Sequence, residues 1–195
     1  MYKLTDIMIQ NFENDLKKFH ELFRGGRCEA WQLEELIVKA IKSDYSKSER
    51  VTWKGRGHDT DKDVQIIDNN GKINDIQIKS GKIMKEKIIV SGHRTGRFNG
   101  NLSEITNFLN SNKYDSFIIP YRINSDNYGN KFIYRIFYVN AEIFKIDKEW
   151  KYDGNKYITY NSKGLKILLV PKMSWQVWWE IPLSIINEKT REIII

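Results

Sequence analysis

Cys28 is the only cysteine among the chain's 195 residues, which excludes an internal disulfide and a thiolate metal cluster. No stretch approaches the ~18 consecutive apolar residues of a membrane-spanning helix. The opening MYKLTDIMIQNFEND carries acids where a secretory leader needs a basic and then an apolar region. Internal repeats and low-complexity linkers are missing too. These absences lead us to expect a soluble, cytoplasmic protein with no membrane partner, folded as one domain over 1–195.

What is present supports a real core, since 41% of residues are hydrophobic and 13% aromatic. Disorder throughout is thereby excluded. The formal charge is +7 and the pI near 9.3, an excess that suits a polyanionic partner such as nucleic acid. Lysine, asparagine and isoleucine are abundant, however, as an AT-rich coding sequence alone would produce. Charge by itself decides little.

Apolar spacing predicts a helix over 5–24, with Met8, Phe12, Leu16, Phe19 and Phe23 on one face. A second is predicted over about 28–43, with Leu33, Leu36, Ile37, Ala40 and Ile41 inward and Glu29, Glu34 and Glu35 on or beside that face. From Val51 the period becomes two. A strand at Val51–Lys54 and a polar loop from Gly55 precede two strands, 63–67 and 73–79, joined by the turn Asp68-Asn-Asn-Gly71. A third strand, 87–90, leads into an expected loop, Ser91-Gly-His-Arg-Thr-Gly-Arg97. Asn101 and Glu104 form a capping-box signature for a helix over 102–110. Strands follow at 116–121, nearly all apolar and so expected to lie centrally, and at 131–140. Shorter ones are expected at 157–160 and 165–170. The order predicts an α/β (α+β) fold with a central mixed sheet flanked by helices.

Within the hairpin, alternate residues share a face. Ile76 and Ile78 point to a core, while Asp75, Gln77 and Lys79 point away, together with Asp63 and Gln65 of the facing strand. A carboxylate, an amide and an ammonium on one patch suit phosphodiester hydrolysis. Oxygen ligands hold a divalent cation, and a lysine orients or deprotonates water and balances charge on phosphorus. The alternative is the wet face of an ordinary hairpin. Asp63 is preferred to Asp59, Asp61 and Asp68 because it alone opens a strand with apolar residues alternating behind it.

Asp63 followed by Gln77-Ile-Lys79 on the next strand resembles the PD-(D/E)xK motif of the nuclease superfamily that includes most type II restriction endonucleases. The likeness covers about residues 28–110, as helix, three-stranded meander and helix. It implies a restriction-endonuclease-like core, about 28–140, with 150–195 left for packing or dimerisation. It also implies a Mg²⁺-dependent endonuclease that cuts double-stranded DNA at a short palindromic site and leaves 5′-phosphates. A homodimer is expected, and a companion DNA methyltransferase without direct contact. Carried over residue by residue, Asp63 matches the metal-ligating aspartate, Gln77 takes the place of the second acid, and Lys79 matches the catalytic lysine. No proline precedes Asp63, and Gln77 replaces Asp or Glu. With that negative charge missing, Glu34 or Glu29 is a candidate further ligand, and Asp75 a third.

The segment 91–97 is rich in donors that suit phosphate and guanine contacts. His93, Arg94, Thr95 and Arg97 are therefore expected DNA contacts, with Lys54, Arg56 and His58 a second cluster. A solvated loop is the alternative. Trp175, Trp178 and Trp179 could stack on bases, but packing or dimerisation is the preferred reading. Two other functions stay open: a structure-selective repair or recombination nuclease of the same fold, and a non-catalytic nucleic-acid-binding protein.

Overall fold

In the computed structural model, residues 1–23, 26–44, 50–53, 63–126, 129–186 and 189–195 are described. Three α-helices and twelve strands lie among them: α1 Asp6–Leu22, α2 Ala30–Lys42, β1 Arg50–Trp53, β2 Val64–Ile67, β3 Ile73–Met84, β4 Lys87–Arg94, α3 Leu102–Asn110, β5 Asp115–Asp126, β6 Gly129–Tyr134, β7 Phe137–Val139, β8 Lys151–Tyr152, β9 Tyr157–Tyr160, β10 Lys166–Val170, β11 Gln176–Pro182 and β12 Ile193–Ile194. All the strands join one mixed open sheet, in which β12-β6-β5-β3-β4-β11-β10-β9-β8 run side by side. Beside this path, β1 pairs with β2, β2 also with β3, and β7 with β5. The expected mixed α/β architecture is present. No described helix is long and apolar enough to cross a membrane.

Helices cover both faces. Met8, Phe12 and Leu16 of α1 and Leu33, Ile37 and Ile41 of α2 pack on Ile76, Ile78, Phe117 and Ile119. On the other face Ile105 and Leu109 of α3 meet Ile118, Val90, Ile167 and Trp179. Neighbours Phe117, Ile118 and Ile119 thus face opposite cores, which is why this run is apolar throughout. The start of α3 matches its signature, with Glu104 N donating to Asn101 Oδ1 at 3.2 Å.

Two expectations are corrected. The single strand over 131–140 is broken between β6 and β7, because Ile136 turns to the C-terminal segment. Its N–H donates to Thr190 Oγ1 at 3.0 Å, and its carbonyl accepts from Thr190 N at 2.9 Å. The second correction concerns 91–97: β4 continues to Arg94, and a 3-10 turn follows at Gly96–Phe98. Glycine is required at position 92 for closeness, not looseness, since a Cβ there would lie 2.9 Å from the Trp179 ring.

Strand β3 positions the site. Its register to β5 is parallel and unbroken from Ile76 to Lys82. The opposite edge is shared: β2 pairs with Ile73 to Ile76, ending at Val64–Ile76, and β4 pairs only from Gly81 onward. Because Ile76 pairs with both Val64 and Asp115, and Gly81 with both Val90 and Pro120, β2 and β4 occupy the same edge in succession. Between them the sheet forks. Beyond Val90, β4 leaves β3 and runs with β11 alone, Ser91 facing Trp178 and Arg94 facing Gln176. Between those two pairs β4 advances three residues while β11 advances two, a bulge of the kind that re-aims side chains.

Candidate active site

The fork holds a cleft of about 430 Å³. Residues 77–80 of β3 form one wall and residues 91–94 of β4 the other, with Asp63, Glu34, Ala30, Arg97 and Phe108 completing the lining. An open sheet edge leaves backbone groups that must find partners. Asp63 N donates to Ile76 O at 3.1 Å, so Ile78, two residues on, points its N–H the same way. Asp63 Oδ2 accepts from that N–H at 2.6 Å. One side chain therefore closes the end of the β2–β3 ladder and puts a carboxylate at the mouth of the fork.

Asp63, Gln77, Lys79 and Glu34 meet in this cleft. Burial raises the Asp63 carboxyl above the usual carboxylate range, against the Ile78 N–H and the charge of Lys79. Glu34 is pushed up to about 7, first by burial and then by the charge of Asp63. A hydrogen bond from Trp53 and the charge of Lys79 act the other way. The Lys79 ammonium is lowered by burial, while Asp63 and Glu34 favour its charged form. Its Nζ also lies 5.6 Å from the centroid of the Trp179 ring, within cation–π reach. Gln77 is 3% exposed, and its Oε1 accepts from Asn112 Nδ2 at 3.3 Å.

Two carboxylates and an amide oxygen are the hard donors that Mg²⁺ or Ca²⁺ takes. A cation between Asp63 and Glu34 would also relieve the repulsion and desolvation that raise both groups. Among the described residues no cluster of three or more His, Cys, Asp and Glu could hold a metal ion. Any ion here would depend on Gln77, water and substrate oxygens beside the two acids, a sparse set that fits Mg²⁺.

The two candidate glutamates separate. Glu34 lines the cleft, whereas Glu29 is the exposed N-cap of α2. The N–H of Glu29 donates to Gln32 Oε1 at 2.8 Å, and its carboxylate pairs with Arg27 at 3.0 Å. Asp75 is also elsewhere, accepting from Gln65 Nε2 at 2.8 Å.

The basic wall is a strand and a turn. His93, Arg94 and Arg97 line the cleft. Arg94 Nε donates to Gln176 Oε1 at 3.3 Å, and the Arg97 guanidinium lies 4.3 Å from the Phe108 ring centroid. Thr95 is corrected: it is 0% exposed, and its hydroxyl donates to Trp175 O at 2.7 Å, so it offers no side chain to a phosphate. Lys54, Arg56 and His58 lie outside the described residues. Trp179 is 2% exposed in the core, and the half-buried Trp175 packs against the same cluster.

The role of Trp179 under Lys79, and those of Asn112, Trp53 and Phe108, were missed from the sequence. A signal existed for the first: a glycine at position 92, inside an alternating run, marks close backbone approach or a bulge. No family model, curated protein or solved structure matches the chain.

Proposed function

We propose that the chain is a Mg²⁺-dependent endonuclease of the PD-(D/E)xK kind with a restriction-endonuclease-like core, cutting double-stranded DNA at a specific short sequence. The observation that carries this reading is the fork, where Asp63, capping Ile78 N–H, shares a desolvated cleft with Glu34, Gln77 and Lys79 opposite Arg94 and Arg97. An acidic end for a cation and a basic wall for a phosphodiester are what hydrolysis of that bond asks of a protein.

Asp63, Glu34 and Gln77 would hold the Mg²⁺, which when bound polarises the phosphate and acidifies a water. Lys79, its ammonium weakened by burial, orients the attacking water and takes or shares its proton. Arg94 and Arg97 neutralise the phosphodiester and hold it in line. The described residues of each chain offer one such cleft, so cutting both strands of a palindromic site calls for a homodimer.

The test is incubation of purified protein with unmethylated phage DNA in Mg²⁺ and in EDTA, resolved on a gel. Discrete Mg²⁺-dependent fragments are expected, and their loss in Asp63→Ala and Lys79→Ala. Normal cutting by either variant would overturn the reading. Retarded but uncut DNA, with a steep salt dependence of binding, would favour the non-catalytic alternative.

A further inference from the structure

A second cavity of about 270 Å³ adjoins the cleft, and Gln77, His93 and Phe108 line both. Beyond that shared wall it is lined by Asn112, Tyr114, Ser111 and Lys113, from the end of α3 and the turn into β5. Resting on the nuclease reading, we propose that this cavity receives one nucleobase of the substrate, turned out of the stack beside the phosphate held in the fork.

Four features carry the assignment. The cavity lies just below the ~300–1,000 Å³ range of sites for drug-sized ligands, so it suits one heteroaromatic ring and not a base pair. Its walls combine aromatic rings with amides and a hydroxyl, as recognition of a base by stacking and edge hydrogen bonds requires. Asn112 is pre-set, with Oδ1 accepting from Tyr114 N at 3.0 Å and Nδ2 donating to Gln77 Oε1. That bond joins the cavity's polar wall to the residue expected to help hold the metal. Finally, Phe108 is shared: the ring that meets Arg97 on the phosphate side also walls the cavity. A backbone phosphate in the fork leaves its own nucleotide within reach of the cavity and the rest of the duplex outside.

A base that is already unpaired enters at lower cost than a paired one. The experiment measures binding, by fluorescence anisotropy in Ca²⁺-containing, Mg²⁺-free buffer, to two labelled duplexes that differ only by one extra unpaired purine. The bulged duplex should bind at least about tenfold more tightly. Ser111→Trp fills the cavity from its exposed rim and should erase the preference while keeping affinity for the paired duplex. Lys113→Trp, also at an exposed position, provides the same blockade if Ser111→Trp folds poorly. Equal binding by the wild type, a preference that survives both blocked variants, or no binding of either duplex overturns the proposal. Mg²⁺-dependent cleavage of the paired duplex is scored separately. Cleavage without the preference rejects the cavity and keeps the fork, whereas the preference without cleavage keeps the cavity and rejects the fork as a catalyst.

Discussion

The two edges of β3 do different work. Toward β5 the pairing is continuous from Ile76 to Lys82. Toward β2 and β4 it stops at Ile76 and resumes at Gly81. The closed edge is regular parallel pairing. The open edge gives up ladder bonds, recovers one through the Asp63 carboxylate, and gains a cleft in which charged groups are held out of water. Chemistry collects where the regular hydrogen-bonding pattern is interrupted, because only there can side chains replace backbone partners and remain accessible.

The largest effects should come from separating the observed cap of Asp63 on Ile78 N–H from its proposed role as a metal ligand. Asp63→Ala removes both, so cleavage should fall on the order of 10³-fold or more and the unpaired Ile78 N–H should cost about 1–3 kcal/mol. Asp63→Asn keeps an oxygen for that N–H but loses the charge. It should lose cleavage equally while melting close to the wild type. Gel assays beside thermal melts read both quantities, and equal destabilisation by the two variants would show that the fork does not depend on this cap. Lys79→Met should also abolish cleavage. By removing the cation that favours their charged forms, it should move the titration of Glu34 and Asp63 further upward, readable by carboxyl NMR shifts.

Sequence patterns are legible where they are local. The α3 boundaries follow from Asn101 and Glu104, a cap formed three residues apart, and the hairpin faces follow from strict alternation. The length of β4 was not legible. Gly92 and Gly96 look like loop residues until Trp179, far along the chain, is packed against Gly92. The choice between Glu29 and Glu34 likewise depended on a three-dimensional fact, the place where the sheet opens beneath α2. The break after Tyr134 depended on Thr190 capturing the backbone of Ile136. Each miss is a long-range contact overriding a sound local signal.

A smaller effect would sharpen the account of the open edge. Gln77→Glu adds a carboxylate whose oxygen can still accept from Asn112, so the fold should be retained. Divalent-ion affinity rises with ligand charge, and the Mg²⁺ concentration for half-maximal cleavage should drop about tenfold. No change would mean that Gln77 serves Asn112 and does not face the ion.

The acids of the fork also set a pH dependence. Glu34 has its ordinary value near 4.5 when unfolded and about 7 when folded. Between those limits the folded state binds the proton that the unfolded state has lost, so metal-free stability should fall as pH rises from about 4.5 to 7. Glu34→Gln should flatten that slope, and Ca²⁺ should raise the melting temperature by a few degrees at pH 8 but not at pH 5. A metal-free melting temperature that climbs over this window in the wild type, and does not in Glu34→Gln, would contradict the burial of this group.

The closed edge supplies the smallest effect and the control. Ser116 pairs with Gln77 across it, is 0% exposed, and its hydroxyl has no hydrogen-bond partner among the described residues. A buried hydroxyl left unpaired costs free energy, so Ser116→Ala should match or exceed the wild-type melting temperature. The gain is bounded by about 2–4 °C per kcal/mol for a chain of this size. Cleavage should be unchanged, although the substitution lies directly beside a residue of the cleft. The β3–β5 ladder is continuous backbone and does not need that side chain, whereas the fork depends on each of its own. If Ser116→Ala instead lowered cleavage tenfold with an unchanged melting temperature, the division between a structural and a chemical edge would fail at its closest point.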